Sequence, residues 1–110
     1  MSRSLEFFSG RDNEQDVVLL SDNAPVDPSG ITRVVVEAGG KSIDSAATPA
    51  LFDWPVSGTW NGAAVNLIRL NFGAATLALG RYEDGKLIIY DATYPDGLVW
   101  MADIVVSMRG

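Results

Sequence analysis

The chain has 110 residues, 47% of them hydrophobic and 20% charged, which suits one globular domain over residues 1–110 and excludes disorder as the default state. The net charge of −6 and the scattered positions of the eight basic residues disfavour a nucleic-acid partner, because phosphate binding depends on clustered Lys and Arg. Cysteine and histidine are both absent, which excludes disulfides, thiolate nucleophiles, and imidazole as a general base or metal ligand.

Turn-forming residues recur roughly every eight to twelve positions, which is typical of a sandwich or barrel of short strands. Residues 5–8 predict a first edge strand, and residues 17–20 predict a short apolar strand that ends at a polar turn. Residues 31–38 alternate between two faces, only one of which carries charges. We expect the uncharged face to be the core face, and it holds Thr32, Val34, Val36 and Ala38.

The patterns are weaker in the middle of the chain. Gly39-Gly40 predicts a hairpin in which residues 41–44 pair back along the preceding strand. Residues 51–62, with two tryptophans, a proline and two glycines, predict a short strand followed by a structured loop. Residues 65–72 alternate and predict another strand. Residues 74–79 leave helix, strand and extended link open, because alanines favour a helix whereas the short length and flanking glycines favour extended chain.

The last third of the chain has the clearest pattern. Residues 87–90 and 98–108 predict two strands joined by a turn at Pro95-Asp96-Gly97. The second strand alternates over eleven residues, and its predicted core face comprises Leu98, Trp100, Ala102, Ile104, Val106 and Met108. The opposite face is also rich in apolar residues, so we expect this strand to be central in its sheet or covered by a neighbouring subunit.

These elements predict an all-β fold, a single antiparallel β-sandwich of about seven to nine short strands with an immunoglobulin-like or jelly-roll-like arrangement. No apolar run is long enough to cross a bilayer, and residues 1–10 lack the basic start and apolar middle of a signal peptide. We therefore expect a protein without a membrane segment or an export signal. The slightly generous apolar share leads us to expect a homo-oligomer.

Two groups of acids are candidate chemical sites. Asp91 and Asp96 are candidates for a catalytic carboxylate pair, but both are typical turn residues, and we expect them to bracket the last turn. Asp12, Glu14 and Asp16 have the spacing of the first ligands of a calcium loop. Val17 and Asn23 stand where that loop needs Gly and Glu, so a solvated acidic loop is the preferred interpretation. The sequence thus predicts no enzyme activity, no cofactor and no metal.

Three aromatic residues are candidate contact residues. Trp54 and Trp60 flank a segment rich in Pro and Gly and would suit stacking on a sugar or contact with a partner protein. Tyr94, near the last turn, is a third candidate of the same kind. Plain packing in the core is the alternative for all three residues, because tryptophan fills cores more often than it forms binding platforms.

Several segments together resemble small proteins encoded in the structural gene clusters of tailed bacteriophages and prophages. The similarity extends from about residue 5 to residue 109 and is carried by residues 25–33, 43–45, 52–54, 79–82, 89–91 and 95–100. The chain is also similar, more loosely, to the N-terminal β-sandwich domain of phage baseplate and receptor-binding proteins. This resemblance implies a non-enzymatic virion protein, associated with the tail or baseplate, made in the bacterial cytoplasm. Its partners would be copies of itself and other phage structural proteins. A carbohydrate-binding module is the alternative function.

Overall fold

The computed structural model describes residues 4–11, 14–74 and 77–110. Over these residues the chain is mostly β, as predicted, and its helical elements are three short 3₁₀ turns at Pro28–Gly30, Pro49–Leu51 and Phe72–Ala74. None of the helices in the described ranges has the length and apolar character needed to span a membrane.

Ten strands are present in the described part of the chain, one more than the upper end of the expected number. They are β1 (Ser4–Phe8), β2 (Gln15–Val17), β3 (Leu20–Ser21), β4 (Ala24–Pro25), β5 (Arg33–Ala38), β6 (Lys41–Asp44), β7 (Phe52–Trp60), β8 (Ala63–Leu70), β9 (Gly80–Tyr90) and β10 (Leu98–Arg109). The additional strands are short: the segment predicted as one strand over residues 17–20 is divided between β2 and β3, and β3 pairs only with the two-residue β4.

The strands form a larger and a smaller sheet, besides the short β3–β4 ladder. The larger sheet has the order β1-β10-β9-β5-β6 and the smaller one β2-β8-β7. Every pairing is antiparallel except that of β1 with β10, which is parallel. Three predictions are confirmed here: β1 lies at an edge, β5 and β6 form the hairpin at Gly39-Gly40, and β10 is an internal strand of its sheet.

One apolar core contains side chains from both sheets. On β5, Val34, Val36 and Ala38 are buried in it, as predicted from the alternation. The prediction is wrong just before β5, where Thr32 is exposed and Ile31, assigned to the opposite face, belongs to the core. The ring of Phe72 lies 5.0 Å from the ring of Phe7 in the larger sheet and 5.3 Å from that of Phe52 in the smaller sheet. Phe72 therefore connects the two sheets through aromatic contacts, which prefer such tilted and edge-on arrangements.

The predicted core face of β10 was partly wrong. Ile104, Val106 and Met108 are buried as expected, but Ala102 is exposed and Met101, assigned to the opposite face, packs against the core. The cause is a set of register shifts between β10 and β9 from Val99 onward. Each extra residue in a bulge reverses the alternation beyond it, so a strict period of two cannot hold along the whole strand.

The prediction for residues 51–62 also needs correction, because most of them form a continuous nine-residue strand, β7, instead of a short strand and a loop. Pro55 is tolerated because β7 is an edge strand and because its register with β8 shifts between Asp53 and Val56. The turn that follows is Asn61-Gly62, with positive φ at both residues. This pair is a strong hairpin signal that the sequence interpretation overlooked.

The segment over residues 74–79 begins in the 3₁₀ turn Phe72–Ala74, and residues 75–76 lie outside the described residues. The next strand begins earlier than predicted, at Gly80.

Candidate functional site

Trp54 lies on the core side of β7 and is half-buried against the core cluster. Its indole Nε1 donates a hydrogen bond to the backbone carbonyl of Ile31, at 3.0 Å. A buried indole N–H needs such a partner, because leaving it unpaired would carry a desolvation penalty. The contact therefore joins the smaller sheet to the segment that leads into β5, and the indole is engaged inside the protein.

Trp60, by contrast, lies on the opposite, outer face of the smaller sheet. The register shift between Asp53 and Val56 reverses the alternation of β7, so that Val56, Gly58 and Trp60 share this face. Six residues of strand at about 3.3 Å each separate the two tryptophans along β7, so their Cα atoms are about 20 Å apart. The structure does not bring them together as one stacking platform.

Around Trp60 the outer face of the smaller sheet carries an apolar cluster, which we call the outer patch. Its members lie on the same face of β7 and β8, namely Val56, Trp60, Val65 and Leu67, and Val56 pairs directly with Leu67. Leu67 is only 4% exposed although it is outside the core cluster, and the other three are half-buried. The side chain of Leu67 lies directly over Gly58, where a Cβ would come within 2.5 Å of it. Glycine at this position thus allows Leu67 to lie flat on the sheet.

A charged cluster adjoins the outer patch along β8. Arg69 forms ion pairs with Glu14 at 2.7 Å and Asp16 at 2.8 Å, and it is paired in register with Asp53. The hydrogen bond that Arg69 donates to Asp16 raises the pKa of the Arg69 guanidinium, and the negative charges of Asp16, Glu14 and Asp53 act in the same direction. The positive charge beside these acids is therefore the guanidinium of Arg69.

Asp12, the first residue of the calcium-like spacing, lies outside the described residues. The other two acids of that spacing, Glu14 and Asp16, are the partners of Arg69. In the ranges that the structure describes, no cluster of three metal-ligating side chains is found.

Tyr94 lies on the loop between β9 and β10 and is 43% exposed. The loop is held by Asp91, whose carboxylate accepts hydrogen bonds from the backbone N–H groups of Thr93 at 2.9 Å and Tyr94 at 2.8 Å. Asp91 thus has the turn-stabilising contacts expected for this residue type. Tyr94 belongs to a loop of the larger sheet, whereas Trp60 belongs to the smaller sheet.

The sequence interpretation named Trp60 but missed its neighbours Val56, Val65 and Leu67. The signal was present in Asn61-Gly62, which predicts a hairpin and would have placed residues 56–60 opposite residues 63–67. The face on which the cluster lies also depends on the register shift near Pro55, for which the sequence offers only the proline itself.

β7 is an edge strand, and within the described ranges no strand pairs with it on the side away from β8. Beyond Pro55, residues 56–60 continue for five positions without charge. Such an edge presents backbone donors and acceptors that suit pairing with another strand. The outer patch and this edge are adjacent, because Val56 and Trp60 belong to both.

Searches against protein-family models, curated proteins and solved structures found no match to this chain.

Proposed function

We propose that this protein is a non-enzymatic structural protein of a tailed bacteriophage or prophage, located in the virion and associated with the tail or baseplate. It acts by binding copies of itself and other phage structural proteins. The attribution to phage rests on the resemblance of residues 25–33, 52–54, 79–82 and 95–100. The observation that carries the assembly function is the outer patch beside the free edge of β7.

A second copy of the chain is the partner that fits this surface best. A strand edge is self-complementary, because two antiparallel copies can exchange the same row of backbone hydrogen bonds around a two-fold axis. Pairing of β7 with its symmetry mate would join the two smaller sheets and bring both outer patches together. Trp60 would then lie near the centre of a larger apolar surface, where aromatic residues contribute most to protein contacts.

We also propose that the two sheets are the layers of a β-sandwich. The support is the single core, in which Phe72 contacts Phe7 of the larger sheet and Phe52 of the smaller sheet. A sandwich is the usual solution when two sheets each bury one apolar face against the other.

Light scattering coupled to size-exclusion chromatography tests the assembly. The wild-type protein should run as an oligomer, and Val65→Asp should dissociate it, because the new carboxylate would lie in the apolar contact. Val99→Asp is the matched control: Val99 is a 48% exposed valine of the larger sheet, and its substitution should leave the mass unchanged. A monomeric wild type, or dissociation by Val99→Asp alone, would contradict the assigned surface.

Electron microscopy tests the phage attribution separately. Antibodies against the purified protein should label the tails of phage particles produced by a host that carries the gene. Particles that are free of label would contradict a virion role, whatever the oligomeric state of the isolated protein.

Carbohydrate binding is the rival function, and the observation that favours it is the partial exposure of Trp60 and Tyr94. Trp54, the other tryptophan considered for sugar stacking, donates its indole N–H to the backbone carbonyl of Ile31. A glycan array in which binding is lost with Trp60→Ala would favour this alternative over assembly.

A further inference from the structure

A cavity of about 260 Å³ lies between the two sheets, where β1 of the larger sheet approaches β2 of the smaller one. Seven of its ten lining residues are apolar, namely Leu5, Val17, Val36, Leu70, Leu87, Met101 and Ile104. The polar lining residues include Ser4 and Asp16, which are exposed, so this side of the cavity faces solvent.

Backbone geometry accounts for the cavity. β1 and β2 come close without pairing, so no ladder closes the seam between them. Opposite the seam, β10 loses its register with β9 between Met101 and Ile104, both of which line the cavity. Asp103 within this irregularity has φ 56°, a left-handed conformation that non-glycine residues rarely adopt. Irregular strands of this kind are over-represented beside binding and active sites.

The size and lining of the cavity point to an apolar occupant. Protein interiors are close-packed, with few voids larger than a water molecule. An apolar cavity of about 150 Å³ holds benzene, which has six carbon atoms, so by proportion this cavity would hold about ten non-hydrogen atoms. Inside the cavity such a molecule would contact the seven apolar side chains, while Ser4, Gln15 and Asp16 provide hydrogen-bonding groups.

The charges at the solvent side of the cavity determine which charge the polar end of such a molecule can carry. Asp16 and Glu14 share one cation, Arg69, so this group carries a net negative charge. The protein as a whole has a net charge of −6. A carboxylate at the entrance would be repelled, whereas a neutral group could hydrogen-bond to the hydroxyl of Ser4 or the amide of Gln15.

We propose that this cavity is a binding site for a slender, neutral, apolar molecule of about ten non-hydrogen atoms, with its single hydrogen-bonding group at the Ser4 and Gln15 side. The site is independent of the outer patch and of oligomer formation.

Titration of methyl-labelled protein with 1-octanol, followed by NMR, tests the site. The methyl signals of Val17, Val36 and Leu87 should shift in a saturable manner, with a dissociation constant below about 1 mM. Octanoate should bind about tenfold more weakly, because of the acidic group at the entrance. The melting temperature should rise with octanol concentration, as it does for any ligand that binds only the folded state.

Substitution inside and outside the cavity separates specific from general apolar binding. Val17→Phe should fill part of the cavity and weaken octanol binding at least about tenfold, whereas Val99→Phe, the same change at an exposed position, should leave it unchanged. Should Val17→Phe fail to fold, Met101→Phe takes its place, since Met101 is only half-buried and lines the same cavity. The proposal would be overturned if the cavity variant and Val99→Phe bound octanol equally, or if octanol shifted only methyl groups outside the cavity. It would also be overturned if NMR contacts between methyl groups showed that the chain itself fills the cavity.

Discussion

Trp54 and Trp60 are chemically identical side chains, yet the structure gives them different surroundings. Trp54 donates to the carbonyl of Ile31 and packs against the core, whereas Trp60 lies in the outer patch. Their identity and spacing were visible in the sequence. The face that each occupies was not, because it depends on one register shift near Pro55.

Phenylalanine substitutions at the two tryptophans should therefore differ in their effect on stability. Trp54→Phe removes the indole donor and leaves the Ile31 carbonyl without that partner, so it should lower the free energy of unfolding by about 1–3 kcal/mol. Trp60→Phe retains an aromatic ring and removes no hydrogen bond recorded in the structure, so its effect should be below about 0.5 kcal/mol. Urea denaturation measures both values. Equal losses would mean that the indole of Trp54 is not held as described.

Single residues whose role is local were the most predictable. Asp91 was expected to stabilise a turn, and its carboxylate accepts two backbone N–H groups. Turn chemistry depends on residues within a few positions of each other, so the sequence contains most of the relevant information. The outer patch depends on pairing between β7 and β8, and its apolar members resemble core residues when considered one at a time.

Among the strands, β10 shows what the alternation of apolar and polar residues can and cannot predict. Its length and internal position followed from its apolar pattern, but its faces did not, because the irregularities at Trp100 and at Ala102-Asp103 reverse the alternation. Within β10, Asp103 has a left-handed backbone conformation. Its residue type does not reveal this, because aspartate also adopts the ordinary extended and helical conformations. The bulges are determined by the fit of β10 to β9, which no local pattern contains.

Aspartate substitutions along β10 test the corrected faces. Ile104→Asp should unfold the protein, because it places a carboxylate in the core at a position only 2% exposed. Ala102→Asp should be tolerated with a loss below about 1 kcal/mol, although strict alternation assigns both residues to the same face. Ser107→Asp, on the face away from the core, should also leave the protein folded. Thermal melts distinguish these outcomes. Unfolding by Ala102→Asp would contradict the corrected faces and support strict alternation along β10.

The hairpin formed by β5 and β6 carries a pH-sensitive contact. The guanidinium of Arg33 donates to both carboxylate oxygens of Asp44, with Nε at 2.9 Å from Oδ1, and lies 4.6 Å from the centre of the Tyr90 ring. Hydrogen bonding from Arg33 holds the pKa of Asp44 below its ordinary value of 3.8, and the backbone N–H of Ala46 acts in the same direction.

Stability should therefore depend on Asp44 at low pH. Because its pKa is lower in the folded state than in the unfolded state, Asp44 contributes fully above the unfolded value of 3.8 and loses its contribution as the pH falls through the folded value. At neutral pH the free energy of unfolding of the wild type should be about 1 kcal/mol higher than that of Asp44→Asn, a modest difference because the ion pair is partly exposed. The difference should shrink below about pH 4. Denaturation curves across this range measure it, and a constant difference would exclude the proposed titration.

At the scale of the whole molecule, both sheets depend on one core. Phe72 is fully buried and belongs to neither sheet, yet its ring contacts an aromatic residue of each. The all-β class was predictable because it follows from strand lengths and turn spacing. The division into sheets of five and three strands was not, since it depends on pairings between distant segments.

Truncation of Phe72 should weaken both sheets together. Phe72→Ala should cost about 3–5 kcal/mol, because it removes a large side chain from a core position with no exposed surface. Hydrogen exchange should show equal losses of protection for amides of β5 and of β8. Loss in one sheet alone would show that the sheets unfold independently and do not share the core cooperatively.

The parallel pairing of β1 with β10 also has a consequence for the order in which the protein can be built. Ser4 pairs in register with Val105, so about one hundred residues must be made after β1 before it meets β10, the strand that pairs with it in the described part of the chain. At about 5–20 residues per second, β1 waits roughly 5–20 s for β10 to emerge from the ribosome. β10 is also the strand that connects β1 to β9. The larger sheet therefore closes only after β10 has been made, and the chain carries an unpaired apolar strand until then.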